Sequence, residues 1–170
     1  MLELAVQPPR QTRPGRPLYP PIAARISSET SVYEELSRTW AAVTLISSSG
    51  ETLDDRLGGK VADSAHPLPA SAQSNSSSGS GVRRDRAYFY FPDLVIYEPG
   101  NYRVRVSLMQ MDYSSTEAPE GVARIREFVD SRPITVEEGS DTSSQPSSGE
   151  REFLRILEND GVVIASPSSR

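Results

Sequence analysis

The sequence predicts an all-β protein, an antiparallel β-sandwich with one short helix near its C-terminal end. Three observations lead to this class. Several segments alternate apolar and polar residues with a period of two, which is typical of strands with one buried face. Turn-forming residues separate these segments at irregular intervals. Strands and helices do not alternate along the chain, which argues against a parallel α/β sheet.

The first half of the chain contains three predicted strands. Residues 2–6 and residues 22–26 alternate apolar and polar side chains, whereas residues 40–46 (WAAVTLI) are apolar on both faces and are expected at the centre of a sheet. Within residues 53–65, the pair Gly58-Gly59 is expected to break regular structure. Residues 70–82 are rich in serine and glycine, so we expect a flexible, disordered insertion there.

Residues 7–21 connect the first two predicted strands and carry six prolines. Proline is excluded from helix interiors and central strands, so this connection is expected to be extended. Arg10, Arg13 and Arg16 lie on it, and Arg25 follows on the next strand. Because a guanidinium can bind phosphate in a bidentate manner, these four arginines are candidate phosphate contacts. The alternative is a solvated connection whose charges only face water.

The central stretch of the chain, residues 86–111, reads RAYFYFPDLVIYEPGNYRVRVSLMQM. Two apolar runs flank Glu98-Pro99-Gly100-Asn101, whose residues favour a turn. After this turn, apolar residues from Tyr102 to Leu108 alternate with polar ones. We therefore predict an antiparallel hairpin in the core. The aromatic run of residues 88–91, which follows several arginines, is expected to pack in the core, although stacking against nucleic-acid bases is the alternative.

The C-terminal third combines two strand candidates with a helix. Residues 122–129 are ambiguous between a strand and one helical turn, and residues 132–136 are expected to form a closing strand. Ser147 and Glu150 have the spacing of a capping box, and Gly161 has the position of a C-cap. Residues 137–149 form an acidic, serine-rich loop. We thus expect a single domain over residues 1–165, followed by a loose tail at residues 166–170.

Composition narrows the class of protein. The 170 residues carry a net charge of −5 and no cysteine, which excludes disulfides and thiolate metal sites. No run approaches the ~20 apolar residues of a membrane span, so we expect a soluble, intracellular protein that does not contact a membrane. The net charge argues against general affinity for nucleic acid, but the first 26 residues hold four arginines against Glu3 alone.

No catalytic pattern stands out in the sequence. His66 is the single histidine and cannot build a metal site alone, and no Gly-x-Ser-x-Gly motif is present. The carboxylate pairs Asp54-Asp55 and Glu137-Glu138 fall in predicted loops, where they are expected to be solvated. Gly58-Gly59-Lys60 lacks the glycine spacing of a phosphate-binding loop. We therefore predict no enzyme activity, no cofactor and no bound metal.

The order of several motifs resembles the fungal velvet domain, over nearly the whole chain apart from the serine-rich insertion and the tail. The most specific motif joins Phe91-Pro92-Asp93-Leu94 to Glu98-Pro99-Gly100-Asn101-Tyr102-Arg103-Val104-Arg105. Weaker parts are Gln7-Pro8, Arg16-Pro17-Leu18 with Pro20-Pro21-Ile22, Leu57-Gly58-Gly59-Lys60-Val61, and the segment from Phe153 to Ile164.

The resemblance implies both a fold and a function. Velvet domains are β-sandwiches similar to the Rel-homology, immunoglobulin-like fold, and velvet proteins are nuclear regulators of fungal sporulation, development and secondary metabolism. Members form homodimers and heterodimers, and some bind promoter DNA as transcription factors. The DNA-contacting loop of the family follows the first strand, which corresponds here to Arg10, Arg13 and Arg16.

Two functional hypotheses follow. In the first, the protein is a dimeric regulator of transcription that binds promoter DNA, with Arg13 and Arg16 on the DNA and Arg10 and Arg25 supporting the electrostatic field. In the second, it is an interaction module that joins other velvet proteins and touches DNA little. The second is motivated by the net charge and by the connection at residues 7–21, which is shorter than the family pattern and lacks its cysteine and lysine.

Overall fold

The computed structural model describes residues 2–28, 38–67, 84–112, 120–139, 146–159 and 161–162. This part of the chain is mostly β, with twelve strands, one turn of 3-10 helix and one α-helix. The predicted serine-rich insertion at residues 70–82 and the tail at residues 166–170 lie outside it, as do residues 140–145 of the acidic loop. No helix of the described ranges is long and apolar enough to cross a membrane.

The elements follow one another in a simple order. The strands are β1 (Leu2–Val6), β2 (Gln11–Thr12), β3 (Ile22–Ser28), β4 (Thr39–Ser47), β5 (Leu57–Gly58), β6 (Ala62–Ser64), β7 (His66–Pro67), β8 (Arg84–Phe91), β9 (Val95–Ile96), β10 (Gly100–Asp112), β11 (Val122–Asp130) and β12 (Ile134–Val136). The 3-10 helix spans Asp54–Arg56, and the α-helix α1 spans Ser148–Asn159.

The strands form two larger sheets and one small one. The first sheet has the order β1-β3-β8-β7, and the second has the order β2-β12-β10-β4-β6 with β11 also paired to β10. The strands β5 and β9 form a separate pair. Pairing is antiparallel except between β2 and β12, which run parallel. The prediction of an antiparallel arrangement is therefore right for the long strands of the described chain and wrong for this short pair.

Apolar side chains from both larger sheets meet in one core. It contains Ile22 and Ala24 of β3, Phe89 of β8, Val43 of β4 and Val104 of β10, among others. The alternation read from the sequence accounts for these positions, since a strand with a period of two presents every second side chain to the same face. The β4 strand lies between β10 and β6, which confirms its predicted central place.

A second apolar cluster lies beneath α1. Phe153, Leu154 and Leu157 of the helix pack with Tyr88 and Tyr90 of β8. All four aromatic residues from Tyr88 to Phe91 are buried, so their predicted place in the core is confirmed. Alternate residues of β8 thus face the shared core and the helix, which explains why this run is aromatic throughout.

The predicted helix signals are both confirmed. Ser147 Oγ accepts a hydrogen bond from the Glu150 amide at 3.2 Å, and the Glu150 carboxylate accepts one from the Ser147 amide at 2.8 Å, as a capping box requires. At the other end Gly161 has a φ of +94°. The Gly161 and Val162 amides donate to the Glu158 and Leu157 carbonyls, which is a Schellman motif.

The predicted core hairpin over residues 86–111 is wrong. The β8 strand pairs with β3 and β7, whereas β10 pairs with β4, β11 and β12, so the two runs belong to different sheets. Between them β9 pairs with β5. The chain thus uses this stretch to pass from one sheet to the other, and the turn near Pro99 is held by the Tyr102 hydroxyl, which lies 3.0 Å from the carbonyls of Glu98 and Pro99.

Two further differences concern short or ambiguous segments. Residues 53–65, where glycines were expected to break regular structure, contain the short strands β5 and β6, which are too brief to leave a periodic signal. Residues 122–129 resolve as a strand, β11, rather than a helical turn.

Candidate nucleic-acid interface

The segment of residues 7–21, called here the arginine crossover, links the two larger sheets. It leaves β1 in the first sheet, runs beside β12 of the second sheet as β2, and returns to the first sheet as β3. Pro8 and Pro9 are buried in it, and Leu18 belongs to the shared core. The predicted extended connection is therefore a packed part of the structure rather than a solvated loop.

Hydrogen bonds attach the beginning of the crossover to distant parts of the chain. The Gln7 amide donates to the Glu150 carboxylate of α1 at 2.6 Å. Arg132 donates from Nε and Nη2 to the Pro8 carbonyl at 3.1 Å and 2.9 Å. The Arg132 amide in turn donates to Gln7 Oε1 at 3.1 Å. The Glu150 carboxylate thus caps its own helix and also anchors the crossover.

The end of the crossover is held along β9. The Gly15 amide donates to the Ile96 carbonyl at 2.9 Å, and the Leu18 amide donates to the Leu94 carbonyl at 2.8 Å. Gly15 has a φ of +79°, a conformation that glycine adopts without strain. The turn that carries Arg13 and Arg16 is therefore attached to the β9 segment at Gly15 and again at Leu18.

The four predicted arginines do not share one environment. Arg10 is exposed, and no described residue pairs with its guanidinium, while Arg13 and Arg16 are half-buried at the turn around Gly15. Arg25 lies on β3, where it forms an ion pair with Glu3 and sits 5.8 Å from the centre of the Phe153 ring. Arg25 therefore faces the layer of α1 and takes part in packing rather than in the crossover surface.

A pocket of about 420 Å³ opens beside the start of the crossover. Its lining combines side chains from β2 and β12 and the residues before them: Arg10, Gln11, Arg132, Pro133 and Thr135. Arg132 is the residue that sequence reasoning missed, because it lies far from the crossover in the chain. No sequence signal links it to Arg10; the parallel pairing of β2 with β12 brings the two together.

Other titratable groups form structural contacts. The buried carboxylate of Asp63 accepts hydrogen bonds from the Tyr90 amide at 2.8 Å and lies 2.9 Å from Lys60 Nζ. It also lies 3.1 Å from His66 Nε2, and the His66 ring stacks on Tyr88 at 5.1 Å between centroids. This cluster joins the edges of the two larger sheets, since Asp63 lies on the edge strand β6 of the second sheet and His66 lies on the edge strand β7 of the first.

The structure therefore brings Arg10 and Arg132 to one pocket beside β2 and β12, whereas Arg13 and Arg16 lie at the turn around Gly15 that is bonded to β9. Arginine side chains can donate hydrogen bonds to phosphate oxygens or to base edges. Comparison with known proteins adds no family: no protein-family model matches the chain, and no curated protein matches it.

Proposed function

We propose that this protein is a velvet-type transcriptional regulator that binds promoter DNA through the arginine crossover. It would act in the nucleus, as a homodimer or a heterodimer with another velvet protein, in fungal development, sporulation and secondary metabolism. The observation that carries the proposal is the exposed Arg10, whose guanidinium pairs with no described residue, on a crossover whose backbone links the two sheets. The order of the velvet-like motifs supports the same assignment.

We also propose a fold for the protein and a function that involves no catalysis. We take the two larger sheets to be the layers of a β-sandwich similar to the Rel-homology, immunoglobulin-like fold. The shared core supports this, because it draws side chains from both sheets. The proposed activity needs neither a catalytic residue nor a cofactor.

The DNA contacts are assigned to Arg10, Arg13 and Arg16. An arginine fork can bind a phosphate or the O6 and N7 atoms of guanine in a bidentate manner. Arg25 is given no direct contact, because its guanidinium already lies against Glu3 and Phe153. Phosphate contacts supply affinity that falls as salt rises, so salt dependence is the most direct signature of this surface.

The test is a titration of a fluorescent fungal promoter fragment, followed by anisotropy at several salt concentrations. The double variant Arg13→Ala/Arg16→Ala should bind more weakly, and the slope of log affinity against log salt should fall by about 1.8, as expected for two lost phosphate contacts. The matched control Arg151→Ala/Arg155→Ala removes the same charge from exposed positions of α1. Equal binding by the crossover variant and the wild type would refute the assignment.

A second candidate function is an interaction module that joins another velvet protein through β11. This strand pairs only with β10 among the described strands, and Ile125 and Phe128 on it are 61% and 52% exposed. Exposed apolar side chains on a sheet edge favour association with another chain. Light scattering with a velvet partner should show a complex that Ile125→Lys weakens. A complex unaffected by that variant would exclude β11 as the contact.

A further inference from the structure

We propose that the pocket between β2 and β12 is a phosphate-binding site in which Arg10 and Arg132 hold one phosphate group together. The inference rests on the proposed function for the source of that phosphate, the backbone of duplex DNA. Its chemistry is independent of that source, because the same two guanidiniums would take inorganic phosphate. Arg132 thereby becomes part of the binding surface, although it lies outside the crossover.

The first argument is uncompensated positive charge. Arg132 donates to the Pro8 carbonyl, which is a neutral acceptor, and no described carboxylate pairs with either Arg132 or Arg10. By contrast, the guanidiniums of Arg25, Arg56 and Arg105 each lie against a carboxylate. Two arginines that line one pocket without a described carboxylate partner favour an anion there, in a chain whose overall net charge is −5.

The second argument is preorganisation. The two hydrogen bonds to the Pro8 carbonyl hold the Arg132 guanidinium by Nε and Nη2. A guanidinium has five N–H donors, so those of Nη1 remain for a ligand. Fixing this long side chain in advance lowers the entropic cost of binding. Arg10 is exposed and can close on the ligand from the neighbouring strand.

The rest of the lining selects a phosphate ester over a cation. Gln11 contributes an exposed side-chain amide that can donate to a phosphate oxygen, whereas the Thr135 hydroxyl donates its hydrogen to Asn101 Oδ1 at 3.0 Å. Pro133 adds an apolar wall, and none of the described residues that line the pocket has a carboxylate, so they offer a metal cation no charged ligand. A volume of about 420 Å³ exceeds the need of a bare phosphate and accommodates an attached sugar.

The experiment follows the Gln11 and Thr135 amide signals by NMR while inorganic phosphate is added to the full chain at constant ionic strength. The wild type should show saturable shifts at these two amides. Arg10→Gln should lower the affinity for inorganic phosphate at least about tenfold, as expected when a charge-assisted hydrogen bond is lost. Arg155→Gln, which removes the same charge from an exposed position on α1, should titrate like the wild type.

A second variant tests Arg132 itself. Arg132→Lys keeps the charge but loses the planar fork, so phosphate should again bind at least about tenfold more weakly. The NMR signals of the β4 and β10 amides report whether the Arg132→Lys variant keeps its fold. If this variant does not fold, the phosphate titration of Arg10→Gln alone tests the site. Absence of saturable shifts in the wild type, or identical titrations of Arg10→Gln and wild type, would overturn the phosphate site.

A competition with duplex DNA then tests whether the phosphate group bound in the pocket comes from a DNA backbone. If duplex displaces phosphate from the pocket, the group bound there is a backbone phosphate. If phosphate binds as expected but duplex does not displace it, the phosphate site stands and the proposed DNA-binding function fails at this surface. If duplex binds with no phosphate response in the pocket, the phosphate site is wrong while the proposed function survives.

Discussion

The strands β11 and β12 pair with the same edge of β10, yet one is mostly exposed to solvent and the other is largely buried. Residues 100–102 of β10 pair with β12 and residues 105–112 pair with β11, while β4 occupies the other edge. Ile134 and Val136 of β12 are fully buried, whereas β11 is mostly exposed. The two strands also differ at their outer edges: β2 of the arginine crossover pairs with β12, whereas β11 contacts β1 but pairs with no described strand other than β10. One long strand therefore supports two surfaces of different chemistry.

The two surfaces differ in the side chains that they expose: one is cationic and the other is apolar. The covered edge carries Arg10 and Arg132 around a pocket and suits an anion. The open edge carries Ile125 and Phe128 and suits another protein. Arg105 links the open strand to β10, because it makes two hydrogen bonds to Asp130, at 2.7 Å and 3.1 Å, and lies 4.0 Å from the centre of the Phe128 ring. The proposed DNA contact and the proposed protein contact thus use different strands of one sheet.

The largest expected change in the free energy of unfolding separates two isoleucine truncations, one on β12 and one on β11. Ile134→Ala removes a fully buried side chain from the shared core and should lower the free energy of unfolding by about 2–5 kcal/mol. Ile125→Ala, at a position that is 61% exposed, should stay within about 0.5 kcal/mol of the wild type. Urea denaturation measures both. Similar losses in the two variants would mean that β11 is covered in solution.

The next effect concerns the junction between the two strands. Ser131 is fully buried; its hydroxyl accepts a hydrogen bond from the Val104 amide at 2.9 Å and donates to the Arg132 carbonyl at 2.8 Å. Ser131→Ala leaves that amide without a side-chain partner and should cost about 1–3 kcal/mol of stability. Thermal denaturation should show the loss, with Ser49→Ala as a control in the exposed turn after β4. An unchanged midpoint would mean that the backbone compensates for the lost hydroxyl.

The smallest expected change in stability concerns the ion pair between Arg105 of β10 and Asp130 of β11. The hydrogen bonds from Arg105 to Asp130 raise the pKa of Arg105, because the carboxylate stabilises the charged guanidinium. Both side chains are about a third exposed, so solvent and salt screen the pair. Asp130→Asn should therefore cost less than about 1 kcal/mol, and the difference from wild type should shrink at high salt. A larger, salt-independent loss would point to packing rather than charge.

Local patterns in the sequence were sufficient to predict much of the secondary structure. The alternation from Tyr102 to Leu108 predicted both a strand and its buried face, because side chains of a strand alternate between faces whatever the partner strand is. The capping box at Ser147 and the C-cap at Gly161 predicted both ends of α1, since those contacts lie within a few residues of each other. Strands of two or three residues, such as β5 and β6, were missed because they are shorter than one readable period.

The sequence by itself determined where the helix and most of the long strands lie, β11 excepted, and which of their faces are apolar, and it marked the arginines of the crossover as candidates. Only the tertiary structure decided that β8 and β10 belong to different sheets, that β2 runs parallel to β12, and that Arg132 and Arg10 line one pocket. The physical reason is that strands pair through backbone N–H and C=O groups, which nearly every residue carries. Alternation therefore specifies a face, while the choice of neighbour depends on how all the strands pack at once.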